Sequence, residues 1–449
     1  MQVTRQTLNP NAEVICIDEM NAEDAAMMQA LKSRSAESVL VHLEKLKKAG
    51  SGKFMDKYYV GYGHKSIGDC GDVDLYFEGV SCFVAKAIQD NPLYRGQECS
   101  TRYLDFSKGL AYNPAPRLDV AGECLGNLFS LYRALLPKQV EYVMAKFPRG
   151  RDMGEEQWER ACRAKSFDVL RGFLPTGVLT NVSWSSDIRQ LNDHLQLLSH
   201  HPMEEVKSVT KNTLKLLSTN YPSSFSHKKY PEVEAFIANN SHSFHYARGG
   251  NCVNNPQGFI TMLSDTLDWH GISADFGRVI NTRPVRAPLP KALEHYGQVV
   301  FDFTMDFGSF RDIQRHRKSI IPMPLLHQDS RFEQWYVDNL NPDLVEMVQA
   351  ALARQWHYVH EASSHIDDVE LQYLLPMGTL GRSRISCTLP QLVYIIELRT
   401  SQHVHPTVRT LAHALYRYIR HFTSLKIAAD LDPDQWSLAR GQDTIIEKG

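Results

Sequence analysis

Three short stretches of this chain gather side chains that bind or stabilise anions. Glu98-Cys99-Ser100-Thr101-Arg102, inside the run Gly96 to Tyr103, sets hydroxyls, backbone N–H groups and a guanidinium within one loop. Such donors converging on one point cradle a monophosphate. The bland alternative is a structural loop with a surface arginine. Arg315-His316-Arg317 ends the run that begins at Arg311 and is a basic cluster suited to an anion. Basic triplets are otherwise solvated surface. Arg399 falls on the apolar face of a helix, aligned with Leu392 and Ile396. An arginine buried without a partner costs several kcal/mol, so Arg399 either snorkels to water from a helix end or serves an anion.

The elements that must position these residues come in two sets. Val73, Leu75 and Phe77 alternate with Asp74, Tyr76 and Glu78, and Val299, Phe301, Phe303 and Met305 alternate with Val300, Asp302 and Thr304. Each reads as a half-buried strand. A helical segment follows each, Ser81 to Gln89 and Ser309 to Gln314, and then a motif region. Leu174-Pro175 opens a block ending near Leu198, and Leu375-Pro376 opens one ending at Arg399. A His-containing stretch and a helix-starting proline follow both, at Pro202 and Pro406. Leu389, Leu392, Val393 and Ile396 have helical spacing, as do Val408, Leu411, Ala412, Leu415 and Ile419. These parallels describe a diverged tandem duplication. The joint is expected at Asn220 to Phe225, giving units 1–225 and 226–449, with a further loop at Arg248-Gly249-Gly250-Asn251.

Composition narrows the field. The formal net charge is −2, which excludes a global basic field for a nucleic-acid polymer or membrane. No apolar run approaches the roughly 18 residues of a membrane span. Met1 to Arg5 lacks an apolar signal core, and the eight cysteines form no Cys-x-x-Cys pair, so a cytoplasmic protein with reduced thiols is expected. His403, His405 and His413, and likewise His242 and His245, lack a third ligand on the same face, so no metal site is expected. Cys99 has no base beside it to make it a nucleophile.

The triplet Arg315-His316-Arg317 and the run Ser100-Thr101-Arg102-Tyr103 resemble the two ends of one arginine-rich motif, that of the flavin-dependent thymidylate synthases. There the motif reads R-H-R, a short spacer, then S-x-R-Y. Here each half of the chain keeps one end. The resemblance implies an α+β fold: two tandem thymidylate synthase-like units, each a mostly antiparallel sheet with packed helices. It implies FAD as cofactor, with NADPH and methylenetetrahydrofolate as co-substrates in reductive methylation of carbon 5 of a uracil nucleotide such as dUMP. Family members are tetramers, which implies a homodimer of this chain.

The resemblance also assigns roles. Glu98, Cys99, Ser100, Thr101 and Arg102 match the nucleotide-binding loop, and Arg171 a phosphate-reaching arginine. Arg315, His316 and Arg317 match flavin contacts, as do Ser66 in Gly63-His64-Lys65-Ser66, Arg189 and His403. Arg399 matches the arginine that favours the ionised base and is the expected catalytic residue. There are departures. Asp90-Asn91-Pro92 stands in the triplet's slot in the first copy, Leu198 in that of Arg399, and Asp69-Cys70 where Glu-His is usual. Asp187 and Asp193 replace asparagines, and Ser330-Arg331-Phe332 is a remnant of the nucleotide loop with altered spacing. One composite site is therefore expected for each pair of copies. The alternatives are a flavin enzyme acting on another nucleotide or metabolite, a flavin-free nucleotide-binding protein, and a purely structural subunit.

Overall fold

A computed structural model describes residues 2–9, 12–35, 37–151, 153–247, 259–421, 424–432 and 438. The loop expected at Arg248 to Asn251 lies outside them. The chain divides into two compact units, one of residues 1–77, 93–97 and 182–244, the other of 78–92, 98–181 and 245–449. In the first unit, β1 (Val3–Asn9) pairs antiparallel with β2 (Ala12–Ile17). Two amphipathic helices follow, Ala22–Lys32 and Val39–Ala49, with N-caps Asn21 and Ser38 accepting from Asp24 N and Leu40 N. Met27, Met28, Leu43 and Leu46 form their shared apolar cluster. Helices Ile188–Leu198, Glu204–Asn220 and Pro231–Asn239 also belong to this unit. β3 (Asp72–Ser81) and β4 (Leu179–Asp187) form a two-stranded sheet, and the boundary between the units falls within both strands.

The second unit holds a three-stranded antiparallel sheet of β5 (Ile260–Asp265), β6 (Val299–Asp306) and β7 (Leu380–Cys387), with β6 central. Helices Asp119–Lys146, Glu155–Leu170, Val345–Ala362, Leu389–Arg399 and Pro406–Ile419 accompany it, so the fold is α+β. The expected alternation holds in β3, where Val73 and Leu75 are buried, and largely in β6. Asp302 departs from it and is buried, because Arg382 and Arg384 on β7 both reach its carboxylate, at 2.5 and 2.6 Å. The helix after β6 runs Phe307–Ile313, starting before Ser309 because Asp306 caps it by accepting from Ser309 N.

Within this unit the two Leu-Pro turns meet reciprocally. Thr176 N donates to Leu375 O at 2.8 Å, and Met377 N to Leu174 O at 2.7 Å. Gly177 N donates to Tyr373 O and Gly378 N to Gly172 O, at 3.1 and 2.8 Å, with Pro175 bridged to Pro376. Each bond has its counterpart at the equivalent position of the other turn, the signature of local pseudo-two-fold symmetry. Caps agree as well: Ser81 accepts from Val84 N as Asp306 accepts from Ser309 N. Helices Asp119–Lys146 and Val345–Ala362, one from each half, also pack together, with Asn127 Nδ2 donating to Ala351 O and Gln355 Oε1.

Candidate active site

The site in the second unit begins at Glu98. Helix Cys82–Gln89 buries all eight of its residues, and within that apolar octet Lys86 must find a counter-charge. Lys86 Nζ meets Glu98 Oε2 at 2.8 Å and also donates to Gln89 Oε1. Arg311, at the equivalent position of helix Phe307–Ile313, donates to Glu98 Oε1 at 2.5 Å and to Thr101 Oγ1 at 3.1 Å. Gln89 Nε2 adds a third donor. Burial alone would raise the Glu98 carboxyl, but Arg311 and Lys86 hold it at about 2. Burial lowers Lys86 to about 8 against the pull of Glu98, so both are charged at neutral pH. Glu98 is thus committed to clamping the loop onto both halves. Within the loop, Cys99 N donates to Asn181 O and Ser100 Oγ accepts from Arg102 N.

Arg102 and Arg171 are engaged by carboxylates, that of Asp168 fully buried. Arg102 donates from Nε and Nη2 to the two oxygens of Asp168, at 2.7 and 3.0 Å, and from Nη2 to His403 O. Arg171 donates to Tyr336 Oη at 3.2 Å, Asp312 Oδ2 at 3.4 Å and Ser309 Oγ at 2.9 Å. Despite burial, Arg171 and Arg102 hold the Asp312 carboxyl far below the usual range. Tyr336 in turn donates to Asp306 Oδ1 at 2.6 Å. A directed chain joins the two arginines. His405 Nε2 lies 3.1 Å from Asp168 O. A carbonyl only accepts, so Nε2 carries the proton and Nδ1 accepts from Thr407 Oγ1 at 2.8 Å. Thr407 then accepts from Ser309, which accepts from Arg171. Burial and the nearby Arg171 and Arg102 keep His405 well below its ordinary pKa, hence neutral.

Arg399 does not snorkel. Its Nε donates to His316 Nε2 at 2.8 Å and its Nη2 to Asp312 O at 2.6 Å. The helix end is thereby tied to the triplet. Burial and Arg399 lower His316 to about 3. Because Nε2 accepts, its proton sits on Nδ1, which has no acceptor among the described residues. His316 lines a cleft of about 690 Å³ together with Arg315 and Arg317. Arg315 is exposed and makes no hydrogen bond or ion pair among the described residues. In the first copy's slot, burial lifts the Asp90 carboxyl to about 7.

The remaining expected contacts fall as follows. His403 gives its carbonyl to Arg102, while its ring Nδ1 is buried without a partner. Ser66 and Arg189 lie in the first unit. Ser66 is exposed on the turn Lys65–Cys70, and Arg189 is ion-paired to Asp69 at 3.0 Å. Asp193 pairs with Lys65 at 3.7 Å, and Asp187 caps helix Ile188–Leu198 through Gln190 N. Sequence reasoning missed Lys86, Asp168, Asp312, Tyr336, His405 and Arg311 as working parts. Lys86 alone carried a legible signal, a lysine in an apolar octet.

Residues 16–223 match the family described as thymidylate synthase complementing protein. This segment belongs to that family. Relatives extend the similarity through both halves. A UPF0159 protein of Chlamydia pneumoniae is 24% identical over 426 residues, 83% of this chain and 79% of the relative. Its counterpart in Thermoplasma acidophilum is 21% identical over 451 residues, 86% of this chain and 90% of the relative. The thymidylate synthase complementing segment contains the Glu98 loop and Arg171. The residues that grip them, Arg311 and Asp312, and Arg399 beyond, follow the matched segment. The match of this segment supports a thymidylate synthase-like enzyme. Among the described residues no helix is long and apolar enough to cross a membrane.

Proposed function

We propose that this chain is a cytoplasmic enzyme that transfers a one-carbon unit reductively to carbon 5 of a uracil nucleotide such as dUMP. FAD is the cofactor, with methylenetetrahydrofolate and NADPH as co-substrates. The supporting observation is that both ends of the divided motif converge in one unit, through Arg311 on Glu98 and Thr101 and Arg399 on His316. FAD fits the side chains present: the His316 Nδ1–H, the unpaired Arg315 and the orphaned His403 Nδ1 all want an anionic or polar ligand. When bound, FAD supplies the hydride and one-carbon chemistry that side chains lack. Arg399 favours negative charge on the uracil ring. The cations Lys86, Arg102, Arg171, Arg311 and Arg399 outnumber Glu98, Asp168, Asp306 and Asp312, so the region attracts a phosphate even with Arg102 and Arg171 engaged. Arg189, neutralised by Asp69, leaves the first copy a weak flavin partner. The halves 1–225 and 226–449 act as one pair of copies, and two chains complete a pseudo-tetramer.

The test is an absorbance spectrum of the purified protein, followed by dUMP titration and assay of product with both co-substrates. A flavin band shifted by dUMP and lost in Arg315→Ala, together with dTMP formation, is expected. No flavin after adding excess FAD would overturn the reading. A flavin band indifferent to dUMP would favour another acceptor, a reading supported by the bidentate Asp168 that already occupies Arg102.

A further inference from the structure

The cleft that holds the triplet has a wall no motif accounts for, the segment from Arg283 to Lys291. It carries Pro284, Pro288 and Pro290, and prolines stiffen a loop by fixing φ. Arg286 sits at φ 66°, a left-handed conformation that strains any residue with a Cβ. The strain is held in place by Glu397. That carboxylate accepts from Arg283 Nη1 and Nη2 at 3.1 and 2.9 Å, from Arg286 N at 3.3 Å and from Ala428 N at 3.0 Å. Arg283 Nε also closes the loop on Ala287 O at 2.6 Å. The ion pair is buried, with side-chain exposures of 4% and 9%.

What this scaffold presents is an exposed guanidinium. Arg286, Lys291, Arg315 and Lys318 all line the cleft, all are exposed, and none of their side chains makes a hydrogen bond or ion pair among the described residues. Of the carboxylates lining the cleft, Glu397 is spent on the loop, which leaves Glu294. Gathered cations repel each other unless an anion of several charges sits among them. Tyr394 lines the same cleft, 61% exposed and edge-on to His316 at 5.8 Å, and offers a face for a planar ring. We propose that Arg286, Lys291 and Lys318 form a clamp for the diphosphate of a nucleoside diphosphate group whose base lies against Tyr394. Glu397 is the positioning residue that holds the loop. FAD and the nicotinamide dinucleotide both carry such a group, and the clamp's chemistry is common to them. This deepens the flavin reading of the same cleft without depending on dUMP.

The test is equilibrium binding to the full chain of ADP, AMP, riboflavin, FAD and NADPH, at low and high salt. ADP is expected to bind more tightly than AMP, with affinity falling as salt rises. Arg286→Gly should relieve the backbone strain and raise Tm, yet weaken ADP about tenfold, the loss of one charge-assisted contact. Lys318→Ala should weaken ADP similarly without the Tm gain, and riboflavin should respond to neither substitution. Whichever of FAD and NADPH follows ADP in losing affinity in Arg286→Gly is the natural source of the diphosphate. Unchanged ADP affinity in both variants, or absence of ADP binding, overturns the clamp. If ADP binds as expected while riboflavin and FAD do not, the clamp stands and the flavin function falls.

Discussion

Glu98 takes its two cations from equivalent positions in the two halves, a lysine from one and an arginine from the other. Removing the carboxylate charge leaves both buried and unpaired. Glu98→Gln should therefore destabilise by about 3–5 kcal/mol, read by urea unfolding. The contribution of Glu98 is fully present above its unfolded pKa near 4.5 and is lost as pH falls toward about 2. His316 has a higher window. Its folded pKa of about 3 lies below the ordinary 6.5. Above pH 6.5 both states are neutral, so nothing is lost. Below it the unfolded chain takes a proton the folded chain refuses, and stability falls by about 1.4 kcal/mol per pH unit. His316→Gln can still accept from Arg399. Between pH 7 and 5 the variant should lose about 2 kcal/mol less than the parent, and equal losses would mean that His316 does not titrate this way. The partners of these residues were not legible in the sequence, because a buried charge announces its need but not the distant residue that meets it.

Helix Leu389–Arg399 does three jobs along its length. Leu392, Val393, Ile395 and Ile396 fill the core, Glu397 holds the Arg283 loop, and Arg399 ties the end to the triplet. The apolar spacing and the arginine on that face were readable; the loop on Glu397 was not, since nothing local marks it. Arg399→Leu, copying Leu198, should keep the helix folded, with a Tm change of only a few degrees, but abolish any dUMP-induced flavin shift. A retained shift would remove Arg399 from the base. The turn Arg171–Phe173 makes a second element-scale case. A Cβ on Gly172 would meet the Tyr336 ring at 2.6–2.8 Å, and Tyr336 is buried between Arg171 and Asp306. Gly172→Ala should cost about 1–3 kcal/mol by overpacking, measured by urea midpoint, and weaken the nucleotide response in step. The Leu-Pro turns themselves were legible as a repeat. That they would bond to each other was not, because equivalence in sequence does not say which surfaces meet.

At the scale of the molecule, the compact unit that carries the site draws 78–92 and 98–181 from the first half and 245–449 from the second. Expressed apart, 1–225 and 226–449 should each lack the reciprocal bonds at Pro175 and Pro376 and bind no flavin. Mixed or co-expressed, they should recover it. A half that binds flavin alone would contradict the composite site. The strands β3 and β6 were legible from alternation, and the α+β class from the motif resemblance. The buried Asp302 was not, because the arginines that neutralise it lie on β7, far along the chain.

The reciprocal turns have a last consequence. Two identical subunits must mutate together, so every exchange at such a contact arrives twice and is judged twice. Joined in one chain, the partners are released from that obligation. Arg171 can face Gln372 across the pseudo-axis, and Arg399 can have Leu198 as its counterpart. A saturation library of this protein should therefore give a lopsided tolerance map: a position intolerant in one copy, permissive at its twin.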